Sequence, residues 1–122
     1  MDECIFCAIA GKRVPTELLF ENERVAAFKD IKPSAPVHYL VIPKEHIPSI
    51  AQLEEDHGAI IAELIYAGKH LAARAGLAGY KLVFNVGREG GQKVDHLPLH
   101  VLGGWQKEEG AHTAASKTGH GR

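Results

Sequence analysis

Long apolar runs are missing from this chain, and so are runs of basic charge. No stretch approaches the roughly 20 apolar residues that a membrane span requires. With 14 lysines and arginines against 15 aspartates and glutamates, the formal net charge is −1, which argues against non-specific attachment to nucleic acid or anionic lipid. The opening Met1-Asp2-Glu3-Cys4 lacks the basic start and apolar run of a signal peptide, so a cytoplasmic protein is expected. Cysteine is scarce. Cys4 and Cys7 are the only two, and in a reducing compartment that spacing suggests metal binding or redox work before a structural disulfide. No internal repeat is present, and 122 residues suffice for one hydrophobic core but not two.

What is there reads as a mixed α+β domain. Residues 3–11 are small and apolar and end in Gly11, which suggests a short helix. Glu17–Glu21 and Arg24–Lys29 read as two strands joined at Asn22-Glu23, and His38–Pro43 as a third. From about Glu54 to Ala75, Ile60, Ile61, Leu64, Ile65, Gly68, Leu71 and Ala72 recur at helical spacing and mark one apolar face. Tyr80–Val86 and Val94–Leu102 complete five strands. A long helix set between strand runs predicts an antiparallel-rich sheet. Residues 1–105 form the expected domain; 106–122 are polar with little to bury, and a disordered tail is expected.

The segment Val94-Asp95-His96-Leu97-Pro98-Leu99-His100-Val101-Leu102 carries the sharpest signal. If it is one strand, His96, Pro98 and His100 share a face and Leu97, Leu99 and Val101 line the other. Two imidazoles on an apolar strand each need hydrogen-bond partners, either as satisfied core histidines or as chemistry. The loop Gly87-Arg88-Glu89-Gly90-Gly91-Gln92 is open to two readings, a generous hairpin or a backbone cradle for an anion. Phe6, Val14, Phe28 and Ile31 are equally compatible with core or with an apolar slot. For Cys4 and Cys7, a metal site, free thiols and a redox pair all remain open, although no βαβ pattern follows the motif. His57, His70, His112 and His120 look solvated.

Taken together, Cys4-Ile5-Phe6-Cys7, Ala27-Phe28-Lys29-Asp30-Ile31, the run from Pro36 through His38 to Pro43-Lys44-Glu45-His46, and Asn85–Gln92 leading into the last strand resemble the histidine triad (HIT) superfamily. The likeness is greatest to its Hint branch of purine nucleotide-binding proteins and covers roughly residues 3–104, in order. The resemblance implies a five-stranded, mainly antiparallel α+β HIT domain, usually a homodimer, that binds a purine mononucleotide such as AMP. The implied reaction is hydrolysis of nucleoside 5′-phosphoramidates through a nucleotidyl-histidine intermediate. Its nucleophile is the middle histidine of the triad, and here that position is Pro98.

Proline has neither lone pair nor proton to give. His96 and His100 lie two residues to either side, roughly 7 Å along a strand, whereas a reacting atom must come within about 3–3.5 Å. Loss of a nucleophile costs on the order of 10⁶ in turnover in one well-studied enzyme, so activity is expected to be strongly reduced. By resemblance, His100 contacts phosphate oxygens and His38 supports the active-site network. Phosphate contacts are implied for Asn85, Gly91, Lys93 and Val94, where the ammonium of Lys93 replaces a small hydroxyl residue. Asp30 is implied to take the ribose hydroxyls, and Phe6, Val14, Phe28 and Ile31 the base. A structural zinc is implied on Cys4, Cys7, His46 and His96. Two other readings stand beside this one. One is a zinc-stabilised, non-catalytic nucleotide-binding or scaffold protein; the other is a working hydrolase that uses His96 or His100.

Overall fold

The computed structural model describes residues 4–106; the tail expected to be disordered, with His112 and His120, lies almost wholly outside them. Helix α1 (Ile5–Ala10) leads into β1 (Phe20–Glu21), β2 (Val25–Lys29) and β3 (Val37–Pro43). The long helix α2 (Gly58–Arg74) follows, then β4 (Tyr80–Val83) and β5 (Leu99–Gly103). The five strands form one antiparallel sheet in the order β1-β2-β3-β5-β4. The α+β architecture expected from the sequence is the one observed.

Local chemistry explains the punctuation. The Asn22 side-chain oxygen accepts from the backbone N–H groups of Arg24 (2.8 Å) and Val25 (2.9 Å), an Asx-type turn that reverses the chain between β1 and β2. His57, read from sequence as solvated, instead organises the approach to α2. Its Nδ1 accepts from the Glu54 backbone N–H at 2.9 Å, and its Nε2 lies 3.3 Å from Glu45. The residues expected to open the helix, Glu55–His57, form a 3₁₀ turn, and α2 proper starts at Gly58.

Strand alternation divides the interior into two apolar layers. On one face Val25, Ala27, Val41, Leu99 and Val101 pack with Leu97 and with Ile60, Leu64, Ala67 and Leu71 of α2. Burying each of the larger aliphatic side chains is worth about 1.5–3 kcal/mol. Ile65, expected on that face, is instead partly exposed. Gly68 lets the helix close on β5: a Cβ there would meet the Leu99 side chain at 3.1 Å and Val101 at 3.3 Å. The opposite face carries Ala26, Phe28, Leu40 and Ile42, covered by Phe6, Ile9 and Ala10 of α1. His100 pairs in register with Leu40, and His38 with Leu102, so both imidazoles project with Leu40 to the α1 side. No helix among the described residues is long and apolar enough to cross a membrane.

Candidate functional site

The last strand is shorter than its alternation suggested. It begins at Leu99, and β4 ends at Val83. Four hydrogen bonds draw residues 92–98 away from a ladder. The buried amide of Gln92 donates to the carbonyls of Val94 (2.9 Å) and Pro48 (2.6 Å), its oxygen accepts from Gly87 N–H (2.9 Å), and Leu97 N–H donates to Ile47 O (2.7 Å). Pro98, at the junction, has no N–H with which to extend the ladder. His96 and His100 therefore do not share a strand face, and they enter two separate clusters.

The first cluster joins α1 to the loop after β3. The ligand atoms of Cys4, Cys7, His46 and His96 all lie within 4.8 Å of one another. His96 Nδ1 sits 3.4 Å from Cys4 Sγ, 3.4 Å from Cys7 Sγ and 3.2 Å from His46 Nδ1; Cys7 Sγ is 3.2 Å from the same His46 nitrogen. The far side of the His96 ring donates from Nε2 to Pro43 O at 2.8 Å, which leaves Nδ1 unprotonated in the neutral ring. Burial holds the His96 imidazole below its ordinary pKa; the Pro43 carbonyl opposes this and His46 adds to it. One lone pair cannot bond three neighbours at once. Four donors around a tetrahedral ion, at ordinary zinc bond lengths, would stand about 3.6 Å apart for S···N and about 3.3 Å for N···N. The observed separations match that arrangement, and both thiols are free of disulfide.

The second cluster is buried and internally satisfied. Ser34 N–H donates to His38 Nδ1 at 2.9 Å, so the His38 proton resides on Nε2. That nitrogen faces His100 Nδ1 at 2.9 Å and Asp30 Oδ2 at 3.3 Å. With His100 Nδ1 accepting, the His100 proton is fixed on Nε2. Asp30, whose side chain is fully buried, also takes Lys32 N–H at 2.9 Å. The arrangement orients the His100 ring, with Nδ1 turned to His38.

That ring opens on a small, mainly apolar cleft lined by Phe6, Leu40, Lys93, Val94, Pro98 and His100. Phe6 stands edge-on to Phe28, with ring centroids 5.6 Å apart, and Val14 packs half-buried on the same layer. Asp30 is buried behind the wall. Ile31 is 87% exposed in the single chain. Asn85 is half-buried at the head of the loop, and Gly91, at φ 91°, adopts a left-handed conformation there.

The whole domain is matched by a family model described as "Scavenger mRNA decapping enzyme C-term binding", over residues 3–115. "Protein HitA" of Neisseria gonorrhoeae is 40% identical over 104 residues, 84% of this chain and 97% of its own length. This chain belongs to the histidine triad family. A crystal structure of a HIT family hydrolase from Legionella pneumophila superposes with a TM-score of 0.83 at 45% identity, covering 85% of this chain and 95% of that one. A zinc-bound histidine triad family protein from Mycobacterium smegmatis gives 0.75 at 29% identity, with 87% and 78% covered.

In this histidine triad protein the residues that sequence reasoning missed are supporting ones. Gln92 is 2% exposed and staples the glycine loop to two other segments. The Pro43 carbonyl sets the orientation of His96, and the Ser34 N–H sets that of His38. The only available signal was an amide side chain amid glycines; backbone donors leave no mark in a sequence.

Proposed function

We propose that this chain is a nucleotide-binding histidine triad protein whose phosphoramidate hydrolysis is strongly reduced at Pro98. One observation carries the reading: Pro98 lies on the wall of the cleft beside His100, where it offers a phosphorus atom neither lone pair nor proton. The ligand is a purine nucleoside monophosphate such as AMP, its phosphate toward His100, Lys93, Val94 and the Asn85–Gly91 loop. Phe6, Val14, Phe28 and Ile31 offer it apolar surface for the base. The fixed tautomer of His100 supports this, because Nε2–H can donate to a phosphoryl oxygen. Asp30 reaches a ribose only if its carboxylate turns outward; its present contacts support a part in orienting His38.

The neighbouring histidines are poorly suited to replace the missing nucleophile. His96 commits Nε2 to Pro43 O and Nδ1 to the cysteine cluster. His100 Nδ1 is occupied by His38. A residual hydrolase using either ring would have to break these contacts first.

Zinc belongs to the same proposal, since two thiols and two imidazoles converge at tetrahedral spacing. Cys4, Cys7, His46 and His96 would hold the ion in a closed site that cross-links α1 to the loop after β3. A closed four-ligand site has no open position for substrate, so its contribution is structural. We further read the chain as a cytoplasmic homodimer. The edge strand β4, with Tyr80 and Leu82 partly exposed, is a surface a second copy could cover.

The test compares this chain with Pro98→His for hydrolysis of adenosine 5′-phosphoramidate, with AMP binding measured on both. The expected outcome is AMP binding by both and a turnover gain of several orders of magnitude in the histidine variant, on the order of the loss seen when nucleophiles are removed. Comparable turnover by the unaltered chain would overturn the reading. AMP binding by neither would favour the scaffold alternative.

A further inference from the structure

Among the six residues lining the cleft, Lys93 is the one permanently charged side chain. Several other surface cations stand in ion pairs: Arg24 with Glu63, Lys12 and Lys44 with the shared carboxylate of Glu21, and Arg88 with Asp95. Asp95, the carboxylate nearest to Lys93 in sequence, is gripped by both Arg88 guanidinium nitrogens at 2.9 and 3.1 Å. Lys93 itself has no ion-pair partner among the described residues. A lysine with no ion-pair partner among the described residues therefore lines an apolar cleft, beside the ring of His100.

An ammonium on a flexible stem recognises charge more than shape. A phosphate monoester carries nearly two negative charges above its second ionisation, near pH 6. A phosphodiester or phosphoramidate carries one. We infer that Lys93 tunes this cleft to the doubly charged terminal phosphate of a nucleoside 5′-monophosphate, in preference to singly charged esters and amidates. This rests on the nucleotide reading above and deepens it: the chain retains the monophosphate that hydrolysis would yield, and does so by charge. Pro98 removes the group that would attack phosphorus, and Lys93 supplies one that holds the phosphate.

The experiment titrates the full chain, Lys93→Ser and Lys93→Arg with AMP and with its methyl phosphodiester by calorimetry, at about pH 8, where AMP is fully ionised. Lys93 is exposed, so all three chains are expected to fold alike. Lys93→Ser should weaken AMP about fivefold, the scale of one solvent-facing charge pair, and the ester by less than about twofold. Lys93→Arg should restore AMP, and added salt should shrink the preference for AMP over the ester in the unaltered chain. Equal losses for both ligands, or none for either, would overturn the inference while leaving the nucleotide reading standing. Failure of the unaltered chain to bind either ligand would overturn the nucleotide reading, and this inference with it.

Discussion

His96 and His100 stand four residues apart in the chain, yet they serve two polar clusters with opposite needs. Around His96, two sulfurs and two ring nitrogens crowd together in contacts of 3.2–3.4 Å. Around His100, a chain of donors and acceptors runs from Ser34 N–H through His38 to His100 Nδ1, with Asp30 alongside, in the buried interior. The first cluster gathers donor atoms of the kind that a tetrahedral metal site uses, whereas the second is a buried hydrogen-bonded relay. The same side-chain type thus stands among candidate metal ligands in one setting and in an oriented relay in the other. The partner of the second ring nitrogen decides which: the Pro43 carbonyl frees Nδ1 of His96, and the imidazole of His38 occupies Nδ1 of His100.

The sharpest way to break this comparison is to remove the cation. Purified protein should contain about one zinc per chain, as expected for a closed Cys₂His₂ site. Strong chelation or Cys7→Ser should lower stability by on the order of 4 kcal/mol, the linkage expected when free metal stands near 1,000 times its dissociation constant. In a domain of this size that corresponds to a melting temperature lower by more than about 10 °C. Metal analysis with thermal melts checks both points. A chain that contains no zinc, takes none up and melts unchanged in chelator would remove the distinction between the clusters.

A smaller effect is expected from His38→Ala. The change strips partners from Ser34 N–H, His100 Nδ1 and one Asp30 oxygen at once. Leaving buried polar groups unsatisfied costs about 1–3 kcal/mol each, and water admitted into the space left by the ring should reduce the total to roughly 2–3 kcal/mol. Denaturant unfolding should show this loss with and without chelator alike. A loss that appears only in the metal-loaded protein would mean that the clusters are coupled through the segment between His96 and His100.

The difference between the clusters also marks how far the sequence could be read. The helix α2 was legible because Ile60, Leu64, Leu71 and Ala72 repeat with the helical period and answer to a single demand, burial against the sheet. Strands β2 and β3 were legible for the same reason. The segment at 94–98 alternates as a strand does, yet its backbone bonds go elsewhere, to the Gln92 side chain and to Ile47. Those partners come from a loop and from a residue some fifty positions earlier, and no local pattern encodes them. Cys4, Cys7, His46 and His96 were read as one group through family resemblance; spacing alone reached only the cysteine pair. Gln92 shows the limit most plainly, since a neutral amide in a glycine loop looks solvated until the fold closes over it.

The ion pairs of Glu21 set the lower end of the scale against which both clusters can be measured. Glu21 lies 2.7 Å from Lys44 and 2.9 Å from Lys12, and hydrogen bonds from these two ammonium groups hold its carboxyl below the ordinary value of 4.5. Above that value the carboxylate is charged in folded and unfolded chains alike, and the pairs contribute in full. As pH falls, the unfolded chain takes up its proton first, so stability declines until the folded carboxyl is protonated too. Glu21→Gln should flatten this acid-side decline and barely move the urea midpoint at neutral pH, because exposed pairs are screened by water and salt. Urea titrations of both chains from neutral pH down to about pH 3, below the ordinary carboxylate range, measure the effect. A midpoint shift at neutral pH as large as that of His38→Ala would mean that a surface trio holds the fold as firmly as the buried relay, and burial would no longer explain why the two histidine clusters behave differently.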